Sequence, residues 1–148
     1  MSKYNSEKLA ELAARILSAP KLDRALDAEI AVVLNIGARG LLPDDHEYLS
    51  TVRRDDGCAP GTYWFHCRSG KSLRTAPEFT GCVTTALTLK DVEWLIDIEQ
   101  LFDLHWEVEH WVTDSLPATK ASNVKHGSLP QAIVASALRV RSELAAVA

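Results

Sequence analysis

The sequence predicts one α/β domain: a small, mainly antiparallel sheet with helices on its faces. Three observations carry this. Residues Asp91–Thr113 alternate in the manner of two joined strands, and they hold three of the four tryptophans. Stretches near both ends of the chain carry apolar stripes at helical spacing. The length of 148 residues, 47% of them hydrophobic and 24% charged, suits a single globular domain with a real core.

In order along the chain, Ser6 is placed to cap a helix over Glu7–Ser18, with Leu9, Leu12, Ala13 and Ile16 as its stripe. Pro20 ends it. A second helix is predicted over Leu22–Leu34, lined by Leu22, Leu26, Ile30, Val33 and Leu34, with Asp23 and Asp27 near its positive N-terminal end. Gly37 and Gly40 close it. Residues 38–61 read as a loop-rich insertion, with Tyr48–Arg53 a candidate edge strand and turn signals at Asp56-Gly57 and Pro60-Gly61. Thr62–Arg68 reads as a strand, followed by a basic loop carrying Arg68, Lys71 and Arg74. Thr80 is placed to cap a short helix from Gly81 to Leu89, against the poor helix propensity of Val83, Thr84 and Thr85.

The central stretch follows. Trp94, Ile96 and Ile98 share one side of a period of two, and Glu93, Leu95, Asp97 and Glu99 the other. Trp106, Val108, His110 and Val112 then face away from Glu107, Glu109 and Trp111. Val92, Leu95, Ile96 and Glu99 also fit helical spacing, but the β-branched and aromatic content favours strands. Residues 100–104 join them as a hairpin. Leu116–Gly127 reads as a polar loop. The last helix begins at the cap Ser128, with Pro130 in its first turn and Gln131 completing a capping box. Leu129, Ile133, Val134, Ala137 and Leu138 continue its stripe.

Three segments together resemble the phage ABA sandwich domain family. Asp23, Arg24, Leu26, Asp27 and Ile30 match a first block, Pro77, Phe79, Thr80, Ala86 and Leu87 a second, and Leu129, Pro130, Ala132, Ala135 and Leu138 a third. Cys82 stands where the family has serine, and Thr84-Thr85 where it has Asp-Ala, so the second block lacks its carboxylate. The matched blocks are scattered between Asp23 and Leu138. The resemblance implies an α-β-α sandwich and a phage or prophage origin. It implies no activity.

Composition narrows the function. A net charge of −4 argues against broad, sequence-independent duplex nucleic-acid binding. No apolar run approaches the ~20 residues that span a bilayer, and the first residues carry no signal-peptide core. No membrane association is expected, and the expected location is the host-cell cytoplasm. Three cysteines, Cys58, Cys67 and Cys82, have no zinc or disulfide spacing and read as structural thiols. No cofactor motif is present, and no cofactor is expected.

Candidate sites remain. Arg68, Lys71 and Arg74 suit phosphate, and Tyr63 and Trp64 just before them suit base stacking. The bland alternative is an exposed charged loop. Asp97, Glu99, Glu107 and Glu109 share one hairpin face and suit Mg²⁺ or Ca²⁺, or else form a solvated face beside lysines. His66, His105 and His110 lack an evident orienting partner and read as structural. The expectation is a non-enzymatic phage-encoded binding protein, of counter-defence or host-takeover type, that occupies a host protein or small molecule. A nucleotide-sequestering protein and a metal-dependent hydrolase or nuclease are the alternatives. Homodimerisation through a sheet edge or Trp111 also fits the sequence.

Overall fold

The computed structural model describes residues 5–19, 22–34, 51–53, 61–67, 70–91, 93–112 and 119–146. The chain is α/β, with helices packed on small antiparallel sheets. It divides into two compact units, Met1–Leu22 with Phe79–Ala148, and Asp23–Glu78.

The first unit contains α1 (Ser6–Ser18), α3 (Val83–Leu87), β4 (Leu95–Gln100), β5 (Trp106–Val112), β6 (Thr119–His126) and α4 (Leu129–Ala146). The strands form one antiparallel sheet in the order β4-β5-β6. Its inner face carries Ile96 and Ile98, Val108 and His110, and Ser122 and Val124, placed side by side by the pairings Ile98↔Val108↔Val124 and Ile96↔His110↔Ser122. Helix α4 packs on β5 and β6, and α1 and α3 pack on α4.

Helix α4 is buried on every side from Gln131 to Leu138, as in a helix surrounded by protein. Ala132, Ala135 and Ala137 are all buried, and their small side chains permit close approach of the neighbours. Its polar side chains reach in different directions. Gln131 donates to the carbonyls of Ile16 and Ala19 at the C-terminus of α1 (2.8 and 3.1 Å). Ser142 and Ser6 exchange hydroxyl-to-carbonyl bonds, each 2.8 Å, at the other end of the same helix pair. Arg141 grips the carbonyl of Leu89 beyond α3 through Nε and Nη2. It also lies over the Trp94 ring at 5.3 Å. His126 accepts from the Ser128 N–H at Nδ1, which leaves Nε2 to donate to the Leu17 carbonyl. The orphan carbonyls that end α1 are thereby satisfied.

The second unit contains α2 (Arg24–Val33), β1 (Thr51–Arg53), β2 (Thr62–Cys67) and β3 (Gly70–Thr75), with the strands antiparallel in the order β1-β2-β3. Asp23 caps α2 by accepting from the Leu26 N–H at 3.0 Å. Arg24 and Asp27 form an ion pair of 2.6 Å, with side chains only 10% and 0% exposed. Arg24 also donates to the Ala76 and Pro77 carbonyls, which fastens α2 to the end of β3. Gly61 sits at φ 88°, and an added Cβ there would collide with the Arg24 guanidinium.

Several sequence expectations need correction. Gly70–Thr75 is a strand where the sequence suggested a basic loop, and Thr119–His126 is a strand where it suggested a polar loop. Both gain their ladder bonds from a neighbouring strand rather than from apolar content of their own. Asn5, not Ser6, caps α1, since Ser6 is turned to Ser142. Cys82 rather than Thr80 precedes α3, which runs only from Val83 to Leu87 and has no side-chain cap bond. The capping box at α4 does not form: Gln131 is used by α1, and the Ser128 hydroxyl is buried without a partner among the described residues. The Gly37 and Gly40 helix stop, and most of the 38–61 insertion, lie outside the described residues.

Replacing Arg24 by Ala takes the guanidinium away from the buried Asp27 carboxylate and frees two carbonyls. The expected cost is about 3–5 kcal/mol, measured by urea denaturation. Gly61→Ala should destabilise the same unit, whereas Lys8→Ala, at an exposed pair, should leave the midpoint within about 0.5 kcal/mol.

Candidate functional site

The residues singled out for ligand binding lie on the β2–β3 hairpin. Its register pairs Tyr63 with Arg74 and Trp64 with Leu73. Side chains alternate across a strand, so Tyr63 and Arg74 share one face and Trp64 lies on the other. Tyr63 is buried and Arg74 half-buried. Arg74 donates from Nη1 to the Leu73 carbonyl at 2.8 Å, while its buried Nε has no partner among the described residues. Lys71 is described only in its backbone, opposite His66, and Arg68 lies outside the described residues. The sheet thus brings Arg74 to Tyr63 and separates it from Trp64.

The four carboxylates do share a face, as the alternation predicts. Asp97 is opposite Glu109 and Glu99 opposite Glu107. Strand β6 adds what the sequence reading lacked there. Lys120 reaches Glu109 at 3.1 Å, Asn123 donates to the same carboxylate at 2.9 Å, and Lys125 reaches Glu107 at 3.4 Å. The hydrogen bond from Lys120 is the main cause that holds the Glu109 carboxyl below its usual pKa. Trp111, on the same face, is covered by Lys120, whose Nζ lies 5.5 Å from the ring centroid. No cluster of three or more metal-binding side chains occurs among the described residues.

Sequence reasoning missed a serine–histidine pair. His110 Nδ1 lies 2.6 Å from Ser136 Oγ, where β5 meets α4. Both side chains are fully buried, and the Trp94 ring stands edge-on to the imidazole at a centroid distance of 6.0 Å. His110 Nε2 is buried without a partner among the described residues. Burial pushes the His110 pKa down to about 4, and the nearby Lys90 charge adds to this. The pair is a neutral hydrogen bond inside a core. A nucleophile there has no route to a substrate.

Among the described residues, the most exposed apolar feature is the β4–β5 hairpin tip. Leu101 N–H donates to the His105 carbonyl at 2.8 Å, and Leu104 N–H to the Leu101 carbonyl at 3.1 Å. The Asp103 carboxylate accepts from the His105 backbone N–H at 3.2 Å and meets His105 Nδ1 at 2.9 Å. These bonds hold the Asp103 carboxyl below its ordinary pKa. They also fix Phe102 and Leu104 outward. Phe102 is wholly exposed, Leu104 is 73% exposed, and Leu104 sits at φ 64°. A left-handed conformation at a residue that is neither Gly, Asn nor Asp is uncommon and costs about 1–2 kcal/mol. His105 and His110 stand far apart in setting, one in this loop and the other in the core.

Comparison with family models, with curated proteins and with solved structures finds no match to this chain. No helix among the described residues is long and apolar enough to cross a membrane.

A histidine whose folded pKa lies near 4, against 6.5 when unfolded, binds its proton more readily in the unfolded chain. Stability is therefore full above pH 6.5 and falls as pH drops toward 4. The loss expected from His110 alone is about 3 kcal/mol. Urea denaturation at stepped pH should show this slope in the wild type. A His110→Gln variant, which has no proton to bind, should show a shallower one.

Proposed function

We propose that the chain is a phage-encoded, non-enzymatic binding protein that occupies a host protein, in counter-defence or host takeover, through its β4–β5 hairpin tip. The observation that supports this is Leu104. It combines a left-handed backbone with an apolar side chain left in water. Glycine or asparagine would be the economical residue for the turn itself. Phe102 beside it is also fully solvated. When the two side chains enter an apolar pocket, their exposure is relieved and the burial offsets the cost of the left-handed backbone. The hydrogen bonds of residues 101–105 hold the tip in place beforehand, which lowers the ordering cost of binding.

The charges around the tip choose the partner. Glu99, Asp103 and Glu107 flank it, which disfavours an anionic membrane surface and favours a protein pocket with a basic rim. The phage origin comes from the family resemblance of the three sequence blocks. Arg74 supports a second reading, nucleotide sequestration: its buried Nε is unpartnered among the described residues and Tyr63 is beside it.

Native mass spectrometry of the protein mixed with bacterial lysate tests the first reading. The wild type should carry a stoichiometric protein subunit, and a Phe102→Ser/Leu104→Asn double variant should lose it, with affinity at least about tenfold lower. The same double variant should be as stable as the wild type, or up to about 1 kcal/mol more stable, because asparagine tolerates the left-handed turn. A subunit held equally by both forms would sink the hairpin reading. An added mass of a few hundred daltons, lost on Arg74→Gln, would move the function to the β2–β3 hairpin.

A further inference from the structure

Strand β6 is the outer strand of its sheet, so only one of its edges is paired. The pairing slips between His110 and Trp111: His110 faces Ser122, but Trp111 faces Lys120. Ala121 is the extra residue of this bulge. Bulges bend a strand and re-aim its side chains, and they are frequent beside functional sites. Here a cleft of about 320 Å³ lies between β6 and α4, lined by Lys120, Ala121, Ser122, Asn123, Arg139 and Glu143. The volume is at the lower end for small-ligand sites.

The polar groups of this cleft fall into two sets. Lys120 and Asn123 are engaged by Glu109. Ser122, Arg139 and Glu143 are not engaged. Ser122 is only 8% exposed, and its Oγ is buried without a hydrogen-bond partner among the described residues. Arg139 and Glu143 stand one turn apart on α4 and make no ion pair or hydrogen bond with any described residue. With the cation on the N-terminal side, this order is the weaker one for a pair four residues apart. Gln131, Ser136, Arg141 and Ser142 on the same helix all have partners.

We propose that this cleft binds a small zwitterion of the amino-acid class, with its carboxylate on Arg139, its ammonium on Glu143 and a hydrogen bond to Ser122. A guanidinium suits a carboxylate through two parallel bonds. Glu143 selects against a plain anion such as phosphate and for a ligand that also carries positive charge. The buried Ser122 hydroxyl gains the partner it lacks. This site is separate from the hairpin tip, and neither reading depends on the other.

The test is a titration of ¹⁵N-labelled protein with each of the common amino acids at low salt, with acetate, phosphate and methylammonium as single-charge probes. Saturable shifts at residues 120–123 and 139–143 are expected with a subset of amino acids, and at least tenfold weaker binding of all three single-charge probes. Arg139→Gln and Glu143→Gln should each weaken binding at least tenfold. Ser122→Ala should weaken it several-fold while leaving the denaturation midpoint unchanged or higher, since the hydroxyl has no partner in the fold to lose. The proposal is overturned if no amino acid gives a saturable shift, if acetate or phosphate binds as tightly, or if Ser122→Ala lowers stability and leaves binding unaltered.

Discussion

The burial of α4 on all sides is the constraint from which the rest of its unit follows. Where the helix is surrounded by protein it must satisfy the polar side chains it buries, because a buried unpaired group costs about 1–3 kcal/mol. Gln131 and Ser142 meet this at the two ends of α1, and their separation along α4 fixes α1 as its antiparallel neighbour. Ser136 meets it with His110, which sets the position of β5 against the helix. Arg141 meets it with the Leu89 carbonyl, which ties down a short α3 of poor intrinsic propensity. Apolar packing supplies most of the driving force, but these four contacts choose which neighbour sits where.

The same constraint explains why the chemistry-bearing residues of the core are not reactive. His110 and Ser136 have the spacing of a nucleophile and its base, yet the imidazole is held neutral by burial and the hydroxyl is enclosed. On the outer face of the sheet, β6 sets Lys125 opposite Glu107 and Asn123 opposite Glu109, and Lys120 also reaches Glu109. Most of both faces is therefore accounted for by packing and charge balance. Groups without such an account occur at the margins: the strained apolar tip between β4 and β5, and the bulged edge of β6 where it parts from α4.

Much of the fold was legible from the sequence because period and end signals agreed. Leu9, Leu12 and Ile16 marked one helix, Leu26 and Ile30 another, and the alternation from Trp94 to Val112 gave β4 and β5 with the correct faces. The two strands that were missed share a cause. In β6 the inner face holds Ser122 and Val124, and in β3 a single Leu73 is the only large apolar residue. Such strands exist because a neighbour pairs with them, and no local pattern records that. The capping box failed for a similar reason. Ser128 and Gln131 have the right spacing, but a distant helix end competes for the glutamine and wins. The candidate ligand set was legible only as residue types. Whether Trp64 and Arg74 share a face depends on strand alternation across a turn whose existence the sequence reading had not placed.

The blocks that resemble the phage family take a clear physical meaning from these contacts. Asp23 is a cap, Arg24 and Asp27 are a buried ion pair that holds the end of β3, and Phe79, Ala132, Ala135 and Leu138 are core. Motifs of this kind preserve an arrangement of helices and sheets, so chains that share them can differ freely in what they bind. On the proposed reading, recognition resides where those motifs are silent. Phe102, Leu104 and Ser122 lie outside all three segments, Arg139 and Glu143 are not among the matched residues of the third, and none of the five has a role in holding the fold that the contacts around it reveal. A residue kept in an unfavourable setting without a structural return is better explained by a partner than by the fold. Leu104 is the clearest instance, because backbone strain and exposed apolar surface coincide in one side chain.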